Sequence, residues 1–330
     1  MARCRRGHSH VFESVGALFD AHGLAGIKEE AFDHTGFSGA TLTRLVRSDG
    51  VSFVLKRMSI ERDWIMRATD DLACREAVFA DARVDLGDAV RTPAVGAARD
   101  GDGYAVLMRD IGAELLPAGD VSKAQLDAII AGMAALHARP VPTALPWCDL
   151  TKRLTLLTPT TALVAEAYAA PVAHDISEGW RLFDVHATAA ARTIVHGLIN
   201  DPSPLVRALT RMPSAFLHGD LKFDNIGLDG RGRMWLIDWA MTLVAPSAVE
   251  LGWFLAINSR RLPVPLDDVM RRYADAAGMK PELRERHDAL TVLCGLLLRG
   301  WRKSLDAEAG DGNELHWWCE RVEAAAGALS

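Results

Sequence analysis

The fold is decided by the stretch Phe216-Leu217-His218-Gly219-Asp220-Leu221-Lys222-Phe223-Asp224-Asn225, together with Leu236-Ile237-Asp238-Trp239 just downstream. In the first stretch an acid precedes an amide by five positions, and the second stretch supplies another acid thirteen positions later. Two apolar segments between them flank Asp229-Gly230, a pair that predicts the turn of a β-hairpin. The hairpin would begin at Asn225 and end at Asp238, so we expect these two side chains to converge at one end of it.

This spacing resembles the kinase catalytic loop, H-x-D-x-x-x-x-N followed by a metal-binding Asp. The His-Gly-Asp form and the Ile-Asp-Trp ending are similar to the aminoglycoside phosphotransferase and choline kinase superfamily, whereas protein kinases usually carry Asp-Phe-Gly. The resemblance implies an α+β, two-lobe protein-kinase-like fold. Its small antiparallel-sheet N-lobe would cover residues 1–110, and its larger, mainly helical C-lobe residues 111–330. The alternative is a buried hairpin with incidental acids.

The resemblance also implies roles for the polar residues of these stretches. Asp220 would accept or orient the proton of an attacking hydroxyl. Asn225 and Asp238 would bind Mg²⁺ at the phosphate oxygens of ATP. His218 would brace the loop by hydrogen bonds. Lys222 stands where many protein kinases have a lysine that touches the transferred phosphate, although small-molecule kinases often lack it.

A nucleotide site is expected in the first lobe. Gly36 and Gly39 flank Ser38 between β-prone segments, and such a turn brings backbone N–H groups near phosphate, unless it is only a hairpin turn. The strand Val51 to Lys56 follows and ends on a cation, as the lysine-bearing third strand of kinases does. Lys56 would then hold the α- and β-phosphates; the alternative is a solvated lysine.

An acidic partner for this lysine is expected in the helix predicted over residues 71–84. Glu76 is the candidate, because an ion pair would fix the direction of the lysine side chain. Asp71 and Asp81 are rival carboxylates on the same segment.

Two further segments are interpreted through the resemblance. The strand 104–108 continues into the linker between lobes, so Met108 and Arg109 would lie near the adenine. Glu250-Leu251-Gly252 stands where the superfamily usually has Asp-Leu-Ala, whose Asp supports the catalytic loop from below. Glu250 would do the same or face the substrate.

Composition bounds the remaining possibilities. The five cysteines are scattered and never form C-x-x-C, which favours reduced thiols in the cytoplasm over disulfides or a zinc site. No apolar core follows the N-terminal arginines, so no secretory signal is expected. The longest apolar run, Ala289 to Leu298, is too short to span a membrane and predicts a buried helix. A formal net charge of −6 argues against a nucleic-acid binder and is compatible with a cationic small substrate.

Helical periodicity is spread along the chain. Ser122 and Gln125 form a predicted capping box. The predicted helices cover about residues 10–24, 71–84, 122–138, 164–168, 177–198, 266–277, 281–301 and 315–326. Within the helical part, Asp149, Glu166, Asp175, Glu178 and Asp184 either face a cationic substrate or are solvated. Trp253, Trp301, Trp317 and Trp318 either cage a quaternary ammonium or pack in the core.

The expected activity is ATP- and Mg²⁺-dependent phosphorylation of a hydroxyl on a small molecule. An aminoglycoside-like antibiotic or an amino sugar is the first candidate acceptor. A choline- or ethanolamine-type alcohol is the second, and an aromatic cage around the ligand would favour it. The alternative from another class is a pseudokinase that binds nucleotide without catalysis.

Overall fold

The protein is described from a computed structural model that covers residues 11–31, 38–143 and 145–329. Its N-terminal part is built on a five-stranded antiparallel sheet, and its C-terminal part is mainly helical. This is the α+β, kinase-like architecture that the sequence predicted. Gly36, the first glycine of the predicted turn, lies outside the described residues, and so does Cys4.

The N-terminal sheet has the strand order β1-β2-β3-β6-β5. The elements of this part are α1 (Val15–Ala21), β1 (Glu29–Ala31), β2 (Thr41–Val46), β3 (Ser52–Met58), α2 (Trp64–Ala68), α3 (Arg75–Ala82), β4 (Val90–Arg91), β5 (Ala94–Asp100) and β6 (Gly103–Arg109). Strand β3 lies at the centre and is buried on both faces. Phe53 and Leu55 pack with α1, while Val54 and Met58 pack on the opposite face with α3. Because side chains alternate along a strand, Lys56 lies on the α3 face.

The C-terminal part surrounds a larger core, which its helices share with three short strand pairs. Its elements are α4 (Lys123–His137), α5 (Leu150–Thr155), α6 (Pro159–Ala167), α7 (Val172–His186), α8 (Ala189–Asn200), α9 (Ser203–Thr210), β7 (Ala215–Leu217), β8 (Ile226–Leu228), β9 (Met234–Leu236), β10 (Leu243–Ala245), α10 (Ala248–Asn258), α11 (Leu266–Ala276), α12 (Pro281–Glu308) and α13 (Gly312–Ala325). Strands β7 and β10 pair antiparallel beneath the predicted catalytic loop.

The predicted capping box at the start of α4 is confirmed. Ser122 Oγ accepts from Gln125 N at 3.2 Å, and Gln125 Oε1 accepts from Ser122 N at 2.9 Å. The prediction of a single helix over residues 177–198 is wrong. The chain turns extended at Ala187, and Thr188 caps a second helix by accepting from Ala191 N. The polar cap therefore overrides a helical pattern that continues through it.

The predicted hairpin is present, but its turn differs from the prediction. Strands β8 and β9 pair antiparallel, and the loop between them covers residues 229–233. The positive φ is at Gly232 rather than at Gly230, so Asp229-Gly230 does not form a two-residue turn. Asp229 instead organises the longer loop by accepting from the backbone N–H groups of Arg231 and Arg233.

The N-terminal and C-terminal parts are connected by strand pairing as well as by the chain that runs from one to the other. Strand β4, which precedes residue 110, pairs parallel with β9 of the C-terminal part. The boundary at residue 110 stays a prediction, although the five-stranded sheet ends at Arg109.

The apolar run 289–298 forms the buried middle of α12, as expected. Among the described helices, none is both long and apolar enough to cross a bilayer.

Candidate active site

The predicted catalytic loop leaves β7 through a backbone turn that only glycine adopts easily. Gly219 has φ +85°, and a Cβ at this position would collide with the backbone carbonyl oxygen of Met241. The loop then passes Asp220 and enters a short 3-10 turn, Phe223–Asn225, directly before β8. This path brings the acid and the amide of the motif side by side.

We predict that Gly219→Ala damages both the fold and the site. Positive φ and the backbone collision together should lower the free energy of unfolding by roughly 2–4 kcal/mol. Urea denaturation measures this change. Gly230→Ala is the matched control, because Gly230 has ordinary φ and no neighbouring atom near its added Cβ. Equal stability of the two variants would contradict the requirement for glycine at 219.

Glu250 supports the loop from below. It is buried on α10, and its carboxylate accepts from Gly219 N at 2.5 Å and from His218 N at 3.3 Å. His137 Nε2 lies 2.7 Å from the same carboxylate, and His137 Nδ1 contacts the Tyr273 hydroxyl at 2.7 Å. Burial opposes the charge of Glu250, but the hydrogen bond from His137 and the backbone donors lower its pKa overall. Glu250 therefore faces the loop and not a substrate.

His218 ties the loop to the strand end that carries Asp238. Its Nε2 donates to the Ile237 carbonyl at 3.0 Å, and its Nδ1 accepts from Asp220 N at 3.2 Å. Burial lowers the pKa of His218, which favours the neutral ring that this pattern requires. Because both ring nitrogens are engaged with the backbone, His218 braces the loop and has no free nitrogen for proton transfer.

Asp220 is held by two neighbours of the same loop. Asn225 Nδ2 donates to the Asp220 carbonyl at 2.9 Å and to Asp220 Oδ2 at 3.0 Å. Lys222 Nζ lies 3.1 Å from Asp220 Oδ2. The carboxylate is only partly exposed and lines two adjoining clefts, one beneath the sheet and one among the helices. A group at the junction of two clefts can contact molecules bound in both.

Lys56 and two acids form the charged centre of the cleft beneath the sheet. Lys56 Nζ lies 2.6 Å from Glu76 Oε2 and 2.9 Å from Asp238 Oδ1. Burial on its own would lower the pKa of Lys56, but Asp238 and Glu76 raise it, so the ammonium stays charged. Burial also opposes the charge of Asp238, and the lysine overcomes it and lowers the pKa of that acid. Glu76, rather than Asp71 or Asp81, is thus the carboxylate that pairs with Lys56.

Helix α3 is docked so that Glu76 reaches this centre. The Phe79 ring stacks on Trp239 with centroids 4.0 Å apart, and Arg75 Nε donates to the Ala240 carbonyl at 2.7 Å. Asp71 accepts from the backbone N–H of Arg75 and so caps the start of the helix. Asp71, the rival of Glu76, therefore has a structural role at the start of α3.

The two residues expected to bind magnesium lie at neighbouring ends of the hairpin. Ile237 N donates to the Asn225 carbonyl at 3.1 Å, which joins the two ends of the hairpin. Since Asn225 Nδ2 faces Asp220, its Oδ1 is left for another partner. Asp238 has φ +67°, a strained conformation for a residue other than glycine, of the kind that clusters at functional sites. The described residues hold no group of three or more His, Cys, Asp or Glu side chains suited to a metal. An amide and a carboxylate with phosphate oxygens and water fit Mg²⁺, which rarely has an all-protein cage.

The remaining predicted nucleotide residues lie around the same cleft or near it. Ser38 lines it, together with Lys56, Asp220 and Asp238. Met108 pairs with Val54 across the sheet and so shares the face of Lys56. Arg109 belongs to the other face, and its N–H is already donated to the Pro93 carbonyl at 2.9 Å. The Arg109 N–H is therefore not the donor that meets an adenine.

The second cleft is a cavity of about 410 Å³ among the helices, with Asp220 at its edge. Trp253 and Trp301 line it, whereas Trp318 packs against Gly295 in the core. Of the five acids noted in this part of the sequence, Asp175 lines the cavity. The other four acids have different surroundings. Asp149 caps α5, and Glu166 is exposed. Glu178 pairs with Arg181, and Asp184 pairs with His196.

Two arginines of this cavity, Arg153 and Arg299, were not identified from the sequence. For Arg299 a signal was present, since it interrupts the apolar run that leads to Trp301. For Arg153 there was none, because one arginine in a short helix between loops looks like an ordinary surface residue. Its position follows from tertiary packing, in which its Nε donates to the Gly219 carbonyl at 2.7 Å.

Comparison with known proteins agrees with this architecture. The model of a phosphotransferase enzyme family, APH, matches residues 35–289. A crystal structure of an aminoglycoside-3'-phosphotransferase of type VIII aligns with a TM-score of 0.51 and 18% identity, over 86% of this chain and 97% of that one. A choline kinase from Streptococcus pneumoniae aligns with a TM-score of 0.49 and 14% identity, over 94% and 97%. A choline/ethanolamine kinase family protein from Mesorhizobium loti aligns at 0.46 and 16%, over 93% and 90%. Among curated protein sequences, none matches this chain.

Proposed function

The chain belongs to the phosphotransferase enzyme family, and we propose that it transfers the terminal phosphoryl group of ATP, bound with Mg²⁺, to a hydroxyl of a small molecule. The proposal is based on the position of Asp220, which lies where two clefts meet. This acid lines the cleft that holds Lys56, Glu76 and Asp238, and it also lines the cavity among the helices. A donor in the first cleft and an acceptor in the second would meet at its carboxylate.

Each residue has a role that its contacts support. Lys56, aimed by Glu76, binds phosphate oxygens of the nucleotide. Asn225 Oδ1 and the Asp238 carboxylate would hold Mg²⁺, which would offset the negative charge that develops during transfer of the phosphoryl group. Asp220 orients the acceptor hydroxyl and takes its proton, while Lys222 offers a second cation beside the transferred group. His218 and Glu250 hold the loop and touch no reactant.

We predict that Asp238→Ala weakens the binding of Mg²⁺-ATP by about tenfold or more, since loss of even an outer-shell metal partner has such an effect. Titration calorimetry with and without Mg²⁺ measures it. Asp127→Ala is the control, because Asp127 is an exposed acid of α4 whose partner is Arg272. Unchanged affinity in Asp238→Ala would remove this residue from the metal site.

The identity of the acceptor stays a prediction. An aminoglycoside or amino sugar, the first candidate, would bring positive charge to a cavity that contains Arg153 and Arg299. A choline-type alcohol would need aromatic faces, but guanidinium groups already cover Trp253 and Trp301. Both cationic classes are therefore less favoured than the sequence suggested. The cytoplasmic location also stays a prediction from the cysteine pattern.

A pseudokinase remains the alternative from another class. It would bind the nucleotide through Lys56 and Asp238 without turning it over. Intact Asp220, with Asn225 bonded to it, favours catalysis. Release of ADP that requires an acceptor hydroxyl supports the enzyme, whereas nucleotide binding without turnover of any acceptor would favour the pseudokinase.

A further inference from the structure

The helical cavity beside Asp220 has an unusual lining for a site that would receive a cation. Its aromatic and cationic side chains include Trp253, Trp301, Arg153, Lys222, Arg299 and Arg302. Its acids are Asp175, Asp220 and Asp224. Which of these charges are still available decides what the cavity can bind.

Most of the charged groups already have partners. The pairs are Lys222 with Asp220 at 3.1 Å, Arg302 with Asp306 at 3.1 Å and Arg261 with Asp224 at 2.8 Å. Asp175 is exposed at the rim, in the first turn of α7. Arg153 and Arg299 remain, and neither forms an ion pair with a carboxylate among the residues that the structure describes.

Arg299 is the more available of the two. Its side chain forms no hydrogen bond with another described residue, and its Nε is buried without an acceptor. Its guanidinium lies over Trp301 at 4.8 Å and near Trp253 at 5.7 Å from the ring centroids. Burial lowers its pKa to about 10, so it is still protonated at neutral pH. A positive charge is thus held in the wall of the cavity.

Arg153 and the two indole rings add further donors. Arg153 is 2% exposed, and its Nη1 has no acceptor within the described chain. Its guanidinium lies 4.6 Å over the Trp253 ring. The indole Nε1 atoms of Trp253 and Trp301 are likewise buried without an acceptor. Arginine and tryptophan side chains only donate hydrogen bonds, so these four residues of the cavity lining offer donors and no acceptor.

We propose that the acceptor molecule carries an anionic group, a carboxylate or a phosphate, which binds to Arg299 beside Arg153, Trp253 and Trp301. The proposal rests on the phosphotransfer proposed above, because it orients the opposite end of that molecule, its hydroxyl, toward Asp220. Planar guanidinium groups match carboxylate and phosphate oxygens in geometry as well as in charge.

A cationic ligand has no equivalent partner in this wall. A guanidinium group already lies over each of the two tryptophan rings, at 4.6 Å for Arg153 on Trp253 and 4.8 Å for Arg299 on Trp301, and would repel an ammonium group placed beside it. An added positive charge would meet two arginines that form no ion pair with a carboxylate of the described residues. Asp175 is the acid left to receive it, and it lies at the exposed rim.

The test compares four small probes that share one ring: benzoate, phenyl phosphate, benzyl alcohol and benzylamine. Dissociation constants are measured by ligand-observed NMR, with Mg²⁺ and the ATP analogue AMP-PNP present so that Lys56 cannot bind the anions. We expect benzoate or phenyl phosphate to bind about tenfold or more tightly than benzyl alcohol, as charged hydrogen bonds allow. Whichever anion binds better distinguishes a carboxylate from a phosphate. Benzylamine should show no gain over the alcohol.

The same titrations are repeated with Arg299→Gln, which should lose the preference for anions. Arg299→Lys keeps the charge and should retain part of it. Arg284→Gln is the matched control, since this arginine lies on the same helix and faces Asp275 at the surface. Affinity for AMP-PNP, measured for every variant, shows that each one is folded.

Two results would overturn the proposal: anions that bind no better than benzyl alcohol or benzylamine, or an anion preference that survives in Arg299→Gln. Failure of the wild-type protein to bind Mg²⁺-AMP-PNP would count against the phosphotransferase function instead. The loss of anion affinity in Arg299→Gln would then still show whether the anions bind in the cavity.

Discussion

The Asp220→Asn variant is expected to lose a factor of about 10²–10⁴ in the rate of phosphoryl transfer, the range typical of a lost general base. The amide is the same size and keeps a hydrogen bond to Asn225, but it cannot take the proton of the acceptor hydroxyl. ADP release in the presence of an accepted hydroxyl compound measures the rate. Mg²⁺-ATP binding, followed by calorimetry, should stay close to that of the wild type because Lys56 and Asp238 are unchanged.

The matched control is Asp127→Asn, the same chemical change at an exposed acid of α4. Its carboxylate pairs with Arg272 and lies outside both clefts. We expect this variant to turn over at nearly the wild-type rate. If Asp220→Asn also did so, Asp220 would not be the catalytic base, and Lys222 and the bound cation would have to carry the reaction without it.

Glu250→Ala is expected to have the largest effect on stability, with a loss of about 3–5 kcal/mol in the free energy of unfolding, as for a broken buried ion pair. Its carboxylate is buried and satisfies three donors, the backbone N–H groups of His218 and Gly219 and the His137 ring. Removing it leaves these donors unpaired at the base of the catalytic loop. Urea denaturation measures the change, and Glu166→Ala serves as the exposed control.

The pH dependence of unfolding provides an independent check on Glu250. Its pKa in the folded protein lies below the ordinary value of 4.5. The carboxylate therefore stabilises the fold at pH values above its unfolded pKa, and this contribution is lost as the pH falls through the folded pKa. The stability difference between wild type and Glu250→Gln should be constant near neutral pH and shrink in acid. A difference that does not change with pH would contradict the charged role of Glu250.

Local spacing in the sequence predicts that Asp220, Asn225 and Asp238 converge. The interval from Asp220 to Asn225 and the hairpin before Asp238 confine these groups to one short path of chain, so their convergence needs little tertiary information. The order of the motifs in the sequence is the only feature that favours Glu76 over the rival acids as the partner of Lys56. The structure shows why the rival Asp71 is not available, since it caps the start of α3.

Features that depend on long-range packing were missed. A helical pattern runs through Thr188, yet its hydroxyl caps a new helix there. Arg153 and Arg299 come from helices far apart in the chain, and they meet Trp253 only in the folded lobe. The tryptophans allowed two interpretations, a cage for a cation or packing in the core, and the cations that contact Trp253 and Trp301 belong to the protein itself. The charge of the cavity thus depends on which side chains face it, and residue spacing does not report that.

The central claim is that Asp220, Asn225 and Asp238 serve one reaction at the junction of two clefts. A crystal structure with Mg²⁺ and AMP-PNP tests it most directly. We predict a metal ion about 2.0–2.1 Å from Asn225 Oδ1 and from an Asp238 carboxylate oxygen, phosphates within reach of Lys56, and the γ-phosphate toward Asp220. A nucleotide bound elsewhere, or a metal ion held by other side chains, would contradict the claim.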